Sequence, residues 1–225
     1  MPLTRYGLRE WLTITLIALA IAGVVAWFHW WWALPIVAIL WLAGAAFFRD
    51  PIRRIPANLP PGTMLSPADG TVSAVLNVEA HEATGGRPAT IVRIFLSVLN
   101  VHVNRSPYDG TVIALKHTPG QYLNAQTEES AAVNESNLIT MKIESGETIG
   151  LRQVAGMIAR RIVCPLKVGD ALKRGQRFGM IKFGSTTELI LPRPDDVTVH
   201  VTKGDRVKGG ITMLATLKLA GANRQ

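Results

Sequence analysis

The sequence predicts a mainly β domain preceded by a hydrophobic helical hairpin. Two observations carry this. The first 50 residues hold two long, nearly uncharged runs and all six tryptophans, and from Pro51 onward the pattern changes to short β-branched stretches separated by turn signals. The division is therefore 1–50 for a membrane-anchoring hairpin and 51–225 for a β-rich domain, a length that buries one good core.

Trp11 to Phe28 and Trp30 to Phe48 are runs of 18 and 19 residues. Each is long enough to cross a hydrocarbon core of roughly 30 Å at about 1.5 Å per helical residue. The break at Phe28-His29-Trp30-Trp31-Trp32 reads as a tight turn at the far interface, because tryptophan prefers the headgroup level and histidine is unwelcome at the bilayer centre. Arg5 and Arg9 precede the first run, and Arg49, Arg53 and Arg54 follow the second. The positive-inside rule then puts both ends, and the domain that follows, on the cytoplasmic side of the cell membrane. A cleaved signal peptide fits less well, since no small-residue cleavage site separates the first run from the tryptophans. An interfacial hairpin is the other alternative, with Pro35 expected to disturb the second helix.

In the second part, strands are expected at Thr71 to Val78, Thr90 to Leu96, Gly110 to Leu115, Leu138 to Ile143, Ile149 to Val154, Arg161 to Val163 and Val197 to Val201. Turns are expected at Gly85-Gly86, Asp109-Gly110, Ser145-Gly146, Gly169-Asp170 and Lys203-Gly204-Asp205. The polar stretch Ala125 to Asn137 reads as a long loop or a short helix. Two phrases share a Gly-Asp-x-hydrophobic-basic pattern: Val168-Gly169-Asp170-Ala171-Leu172-Lys173-Arg174-Gly175 and Val201-Thr202-Lys203-Gly204-Asp205-Arg206-Val207-Lys208-Gly209. They resemble the turns of biotinyl and lipoyl carrier domains, which implies a barrel-sandwich hybrid with internal pseudo-symmetry. No lysine stands at a carrier tip, so the likeness speaks for the fold alone.

A formal charge of +8 and a pI near 10.1 point to an anionic partner. No Lys/Arg stretch is interleaved with aromatics, and the apolar N-terminus favours lipid over nucleic acid. Cys164 is the sole cysteine, which excludes an intrachain disulfide and a CxxC site; within Arg161-Ile162-Val163-Cys164-Pro165 it reads as a small buried side chain. His81, His117 and His200 show no metal-ligand spacing, and no metal is expected.

The chemistry is carried by Phe183-Gly184-Ser185-Thr186-Thr187-Glu188. A Gly-Ser pair alone usually marks a turn. Here it stands with Phe47-Phe48-Arg49-Asp50-Pro51, Ser66-Pro67-Ala68-Asp69-Gly70, Asn100-Val101-His102-Val103-Asn104-Arg105-Ser106-Pro107 and Glu188-Leu189-Ile190-Leu191-Pro192. In that order and spacing, from about Phe47 to about Leu214, the chain resembles the phosphatidylserine decarboxylase proenzyme family in its short bacterial and archaeal form.

The resemblance implies a self-processing enzyme that converts phosphatidylserine to phosphatidylethanolamine and carbon dioxide. In such an enzyme the Ser185 hydroxyl attacks the Gly184 carbonyl, and the resulting ester eliminates to a dehydroalanine. Hydrolysis of the latter releases ammonia and leaves a covalent pyruvoyl group, the cofactor, on a short chain 185–225 paired with a long chain 1–184, in a heterodimer that forms a higher oligomer. The pyruvoyl ketone takes the substrate amine as a Schiff base and draws off the electrons left by carbon dioxide. Gly184 suits the attacked position because it tolerates close approach, and Thr186 is a candidate donor to the developing oxyanion. His102 is the candidate for returning a proton to the substrate carbon, since imidazole holds and releases a proton near neutrality. Asp69 is a candidate for orienting a base or activating Ser185; Asp before Gly is also an ordinary turn. Long-form relatives carry a second histidine where this chain has Arg105, which puts a Ser-His-Asp triad for maturation in doubt. Arg105 is instead a candidate for holding the lipid phosphate or the serine carboxylate.

Three other readings compete. A related decarboxylase would act on an archaeal ether lipid or another amino-acid head group. A serine hydrolase would use Ser185, His102 and Asp69, but the chain lacks a nucleophile elbow. A membrane-anchored carrier or adaptor would leave the chain uncut.

Overall fold

The computed structural model describes residues 2–124, 127–157, 161–182 and 185–219, so Gly184 of the expected cleavage site lies outside the described residues. The chain forms two compact units, Met1–Ile52 and Arg53–Gln225.

In the first unit, α1 (Leu8–Trp27) and α2 (Leu34–Phe47) pack as a hairpin, pinned by Trp41 Nε1 donating to Thr15 Oγ1 at 2.9 Å. His29 makes the bend with a left-handed φ of 57°, and a short 3-10 turn, Trp31–Ala33, follows. Both ends return to one place: Thr4 N–H donates to Phe48 O at 2.8 Å, and Asp50 N–H to Pro2 O at 2.9 Å. Gly7 is required there, because a Cβ would lie 2.1 Å from the Phe48 ring. The helix beginning at Arg5 is long and apolar enough to cross a membrane, and only 6% of its apolar window is buried. A core helix of a soluble protein would be mostly buried, so this surface points to membrane association. The second run is shorter than the sequence suggested. The 3-10 turn leaves α2 only 14 residues, and Pro35 sits in its first turn, where its missing N–H costs nothing, so it starts the helix rather than disturbing it.

The second unit is mainly β. Its strands are β1 (Thr63–Leu65), β2 (Gly70–His81), β3 (Arg87–Leu96), β4 (Val103–Arg105), β5 (Gly110–Thr118), β6 (Ser136–Ile143), β7 (Thr148–Val154), β8 (Arg161–Val163), β9 (Ala171–Leu172), β10 (Arg177–Lys182), β11 (Ser185–Pro192), β12 (Val197–Val199), β13 (Arg206–Val207) and β14 (Met213–Leu217). The polar stretch contains one short helix, α3 (Glu128–Val133). Eight strands form an antiparallel sheet in the order β13-β2-β3-β11-β7-β6-β5-β9; β1-β14-β12 and β4-β10-β8 are separate small sheets. Side chains alternate between the faces of a strand. One face of the large sheet presents Val92, Ile94, Leu96, Ile139, Met141, Ile149, Leu151, Leu189 and Leu191 to the main core, which Met64, Phe178, Leu214 and Leu217 of the small sheets complete. The other face carries a lesser cluster of Ala83, Ala89, Ile91, Leu138 and Ile190.

A doubled pattern runs through this unit. Gly169 N–H donates to Val112 O (2.8 Å) and Val112 N–H to Asp170 O (2.9 Å); Gly204 N–H donates to Val72 O (2.8 Å) and Val72 N–H to Asp205 O (2.9 Å). Both glycines have positive φ. The strands they close begin with Ser66-Pro67-Ala68-Asp69-Gly70 and Ser106-Pro107-Tyr108-Asp109-Gly110. Each Ser hydroxyl donates to the carbonyl two residues on, at 2.6 and 2.7 Å. Each Asp Oδ1 accepts a backbone N–H, from Gly209 (2.8 Å) and from Arg174 (2.9 Å).

Candidate active site

β11 is central in the large sheet, with β3 and β7 antiparallel on its two sides, and all eight of its residues are buried. Ser185 opens it, opposite Leu96 at the end of β3. Pleating sends Ser185 and Thr187 to the main-core face with Leu189, and sends Thr186 and Glu188 to the opposite face with Ile190. The Thr186 side chain therefore stands on the other side of the sheet from Ser185. The Ser185 hydroxyl is fully buried and has no hydrogen-bond partner among the described residues. A buried hydroxyl of this kind costs folding free energy, and such groups call for an explanation at the level of function.

His102 reaches the same rim. After Leu96 the chain turns through Ser97–Asn100 and enters β4. The buried His102 ring places Nδ1 3.0 Å from Asn100 O, and Ile181 N–H donates to His102 O at 3.3 Å. A carbonyl oxygen only accepts, so Nδ1 carries the proton in the neutral ring and Nε2 is the basic nitrogen. β10, paired with β4, leads on toward Ser185.

A buried amide chain ties these strands together. Asn104 Nδ2 donates to Thr187 Oγ1 at 3.0 Å, Gln153 Nε2 donates to Asn104 Oδ1 at 2.8 Å, and Asn137 Nδ2 donates to Gln153 Oε1 at 3.2 Å. It holds the strand after His102 against the strand that Ser185 opens. None of its members was singled out from sequence; the available signal was Asn104, polar and flanked by Val103, inside the His102 run.

Asp69 sits at the same end of the sheet, beyond β2, whose Thr71 pairs with Phe95 as Thr186 does from the other side. β2 and β11 flank β3, so the two residues are separated by about two strand spacings, roughly 10 Å. Both Asp69 oxygens are engaged: Oδ2 accepts from Arg53 at 2.7 Å and Oδ1 from Gly209 N–H at 2.8 Å, while Arg53 also donates to Gly209 O at 3.0 Å. Asp109 repeats the backbone bond, so that half of the geometry belongs to the fold; the Arg53 ion pair is particular to Asp69. The buried Arg105 adjoins this corner. Its N–H donates to Pro67 O at 2.9 Å, its guanidinium to Gly175 O at 3.1 Å, and a Cβ on Gly210 would lie 3.1 Å from its Cδ. The rim thus carries two groups, Ser185 with His102 and Asp69 with Arg105, and β4 runs between them.

On the opposite face Glu188 bonds Arg93 at 2.7 Å and lies 3.6 Å from Arg152, a cross-strand row that secures β11 between its neighbours. Burial pushes the Cys164 thiol up, away from the reactive thiolate.

The model of the family described as phosphatidylserine decarboxylase matches residues 43–215. The chain is 41% identical over 219 residues to a phosphatidylserine decarboxylase proenzyme of Rhodopirellula baltica, covering 96% of this chain and 88% of that protein. It is 44% identical over 191 residues to the proenzyme of that name from Cupriavidus pinatubonensis, covering 83% of each. A third, from Zymomonas mobilis, is 38% identical over 207 residues, covering 89% of this chain and 82% of that protein. The chain belongs to the phosphatidylserine decarboxylase family.

Proposed function

We propose that this family member is made as a proenzyme that cuts itself between Gly184 and Ser185 and then decarboxylates phosphatidylserine to phosphatidylethanolamine. The observation that carries the reading is the Ser185 hydroxyl, buried and unpartnered at the first residue of a central strand. A hydroxyl with no competing hydrogen bond keeps its lone pairs for the preceding carbonyl. Attack by Oγ on the Gly184 carbonyl carbon breaks the peptide C–N bond and forms an ester. Loss of the Cα proton and of the Gly184 carboxylate leaves a dehydroalanine, and water then releases ammonia and leaves a pyruvoyl group at residue 185.

The short chain stays in place after such a cut, because β11 is bonded on both sides by strands of the long chain and β13 and β14 pair with β2 and β1. The pyruvoyl group supplies an electrophilic carbonyl for the substrate amine and a sink for the electron pair that departing carbon dioxide leaves. His102, with Nδ1 fixed on Asn100 O, presents Nε2 as the group that holds and returns the proton. Arg105 offers a guanidinium for the serine carboxylate or the phosphate. Asp69 positions the corner that carries Arg105, through Arg53 and Gly209. Oxyanion support during the cut falls to the backbone N–H of Thr186, because its hydroxyl stands on the other face of the sheet from Ser185.

The doubled turns support reading the second unit as a barrel-sandwich hybrid akin to biotinyl and lipoyl domains. The apolar α1 and the arginines at both ends of the hairpin support anchoring to the cell membrane with the catalytic unit on the cytoplasmic side. The two chains form a heterodimer, and these assemble further.

Intact mass spectrometry of the purified protein beside Ser185→Ala tests the proposal. Two fragments from the wild type, the smaller blocked by a pyruvoyl group, with a whole mutant chain, are expected. A single uncut wild-type chain that is folded and lipid-bound would refute the reading and move a carrier or adaptor role to the front.

A further inference from the structure

Apolar side chains crowd the rim where β11 begins, and the chemistry proposed above uses none of them. β3 and β7 both run antiparallel to β11, so both end beside Ser185. Beyond β3, Asn100 N–H donates to Ser97 O (2.9 Å), while Ser97 N–H (2.9 Å) and its hydroxyl (2.8 Å) both donate to Asn100 Oδ1. These three bonds close a firm four-residue turn. Its two central positions, which turns usually fill with Gly, Asn, Asp, Ser or Pro, hold Val98 and Leu99, 46% and 81% exposed. Beyond β7 stands Met157, 59% exposed. The exposed Arg161 opens β8 opposite Lys182, three residues before Ser185. At the far end of the same strands the loops carry Glu144, Ser145, Gly146, Arg193, Asp195 and Asp196, with no exposed large apolar side chain among the described residues.

The asymmetry has a physical meaning. A hydrogen-bonded turn cannot fold Leu99 back onto the core, so its apolar surface is held out at the one end of the sheet where a buried reacting centre must be reached. On the reading that Ser185 reacts with a phospholipid, the substrate's acyl chains remain in the bilayer while its head group travels to that end. We infer that this rim is the membrane-docking face of the catalytic unit: Val98, Leu99 and Met157 enter the boundary between head groups and acyl chains of an anionic leaflet. The occupant is a bilayer surface, chosen over a second copy of the chain because the phospholipid substrate must reach Ser185 at this same end of the sheet, where a second copy would cover it.

Depth-dependent quenching tests this on the full chain. In a Cys164→Ser background, an environment-sensitive fluorophore is attached at Leu99→Cys, at Met157→Cys, or at Glu144→Cys on the opposite end of β7. Each protein is reconstituted into vesicles of phosphatidylcholine and phosphatidylglycerol with and without quencher-bearing lipid. A blue shift and strong quenching at positions 99 and 157, with neither at 144, are expected. Probes at 99 and 157 as unquenched as the probe at 144 would overturn the inference. So would a blue shift without lipid quenching, which would mean that a second copy covers the rim. Quenching needs no chemistry and is read equally in Ser185→Ala. A failed decarboxylase reading therefore leaves quenching intact in an inert chain, and failed docking leaves an active enzyme with no quenching.

Discussion

Replacing Asn104 with leucine removes both bonds by which the amide chain joins β4 to the large sheet while keeping the side-chain volume close. Gln153 Nε2 loses its acceptor at 2.8 Å and Thr187 Oγ1 its donor at 3.0 Å, and all three residues are fully buried. An orphaned buried amide N–H costs about 1–3 kcal/mol, and the lost hydroxyl bond about 1 kcal/mol more, so Asn104→Leu should lower stability by about 2–4 kcal/mol. Thr187→Val orphans only Asn104 Nδ2 and should cost about 1–3 kcal/mol. The double variant should fall short of the sum by about 1–3 kcal/mol, because Asn104→Leu has already removed the amide that Thr187→Val would orphan. Urea unfolding of the full chain in detergent, with Ser185→Ala to keep every variant uncut, measures all three. Strict additivity, or single losses below about 0.5 kcal/mol, would show that the amide chain neither couples the strands nor holds the His102 segment against β11.

Two further outcomes follow from the charged residues. Asp69→Ala strands the Arg53 guanidinium, whose side chain is only 8% exposed, and should cost about 3–5 kcal/mol, whereas Asp109→Ala loses one backbone bond and should cost about 1 kcal/mol; equal losses by urea midpoint would refute a special role for the ion pair. His81 is held below its ordinary pKa of 6.5 chiefly by burial, with Arg152 adding to the effect and Glu188 and Glu82 opposing it, and its Nδ1 accepts from Ala83 N–H. The unfolded chain then binds more protons than the folded one below about pH 6.5, so stability should fall as the pH drops from 7 toward 5. His81→Asn, which keeps an acceptor for Ala83, should flatten that slope, and an unchanged slope would remove His81 as its cause.

The strands legible in the sequence were those with β-branched or alternating runs: β2, β3, β5, β6, β7, β8 and β12 fall where Thr71 to Val78, Thr90 to Leu96, Gly110 to Leu115, Leu138 to Ile143, Ile149 to Val154, Arg161 to Val163 and Val197 to Val201 were expected. β11 escaped notice as a strand because both its faces are buried, so it has no polar alternation, and because it contains Glu188, whose charge is answered by Arg93 and Arg152 on neighbouring strands. β4 and β10 were hidden by the shortness of β4 and by the buried polar residues Asn104, Arg105 and Lys182, the first two of which find their partners far away in sequence. The second helical run was overextended because apolar composition does not register the 3-10 turn at Trp31–Ala33. The repeat was half visible: the Gly169-Asp170 and Gly204-Asp205 turns were matched, but the Ser-Pro-x-Asp-Gly starts of the strands they close were not. Ser185, His102, Asp69 and Arg105 were all named from the chain; the fold sets Ser185 and Asp69 at one end of the large sheet, with His102 just before β4 and Arg105 at its end. The division into two groups about 10 Å apart depends on register and could not be read in advance.

That division bears on what Asp69 can do. In the second copy of the repeat Asp109 makes the same backbone bond, and among the described residues no arginine side chain pairs with it as Arg53 does with Asp69. The fold therefore needs an aspartate at this turn whether or not chemistry happens nearby, and the bond to Gly209 says nothing about catalysis. What distinguishes Asp69 is Arg53 on its other oxygen, with the guanidinium reaching on to Gly209 O. An aspartate with both oxygens engaged in this way is held as a fixed support for the Arg53 corner. The unpartnered Ser185 hydroxyl is then better served by a base on its own side of the rim, where the Nδ1 contact to Asn100 leaves His102 with Nε2 as its basic nitrogen. A chain in which His102→Ala abolishes the cut while Asp69→Asn only slows it would fit this order; the reverse result, a complete block by Asp69→Asn in a folded chain, would make Asp69 the base and Arg53 its switch.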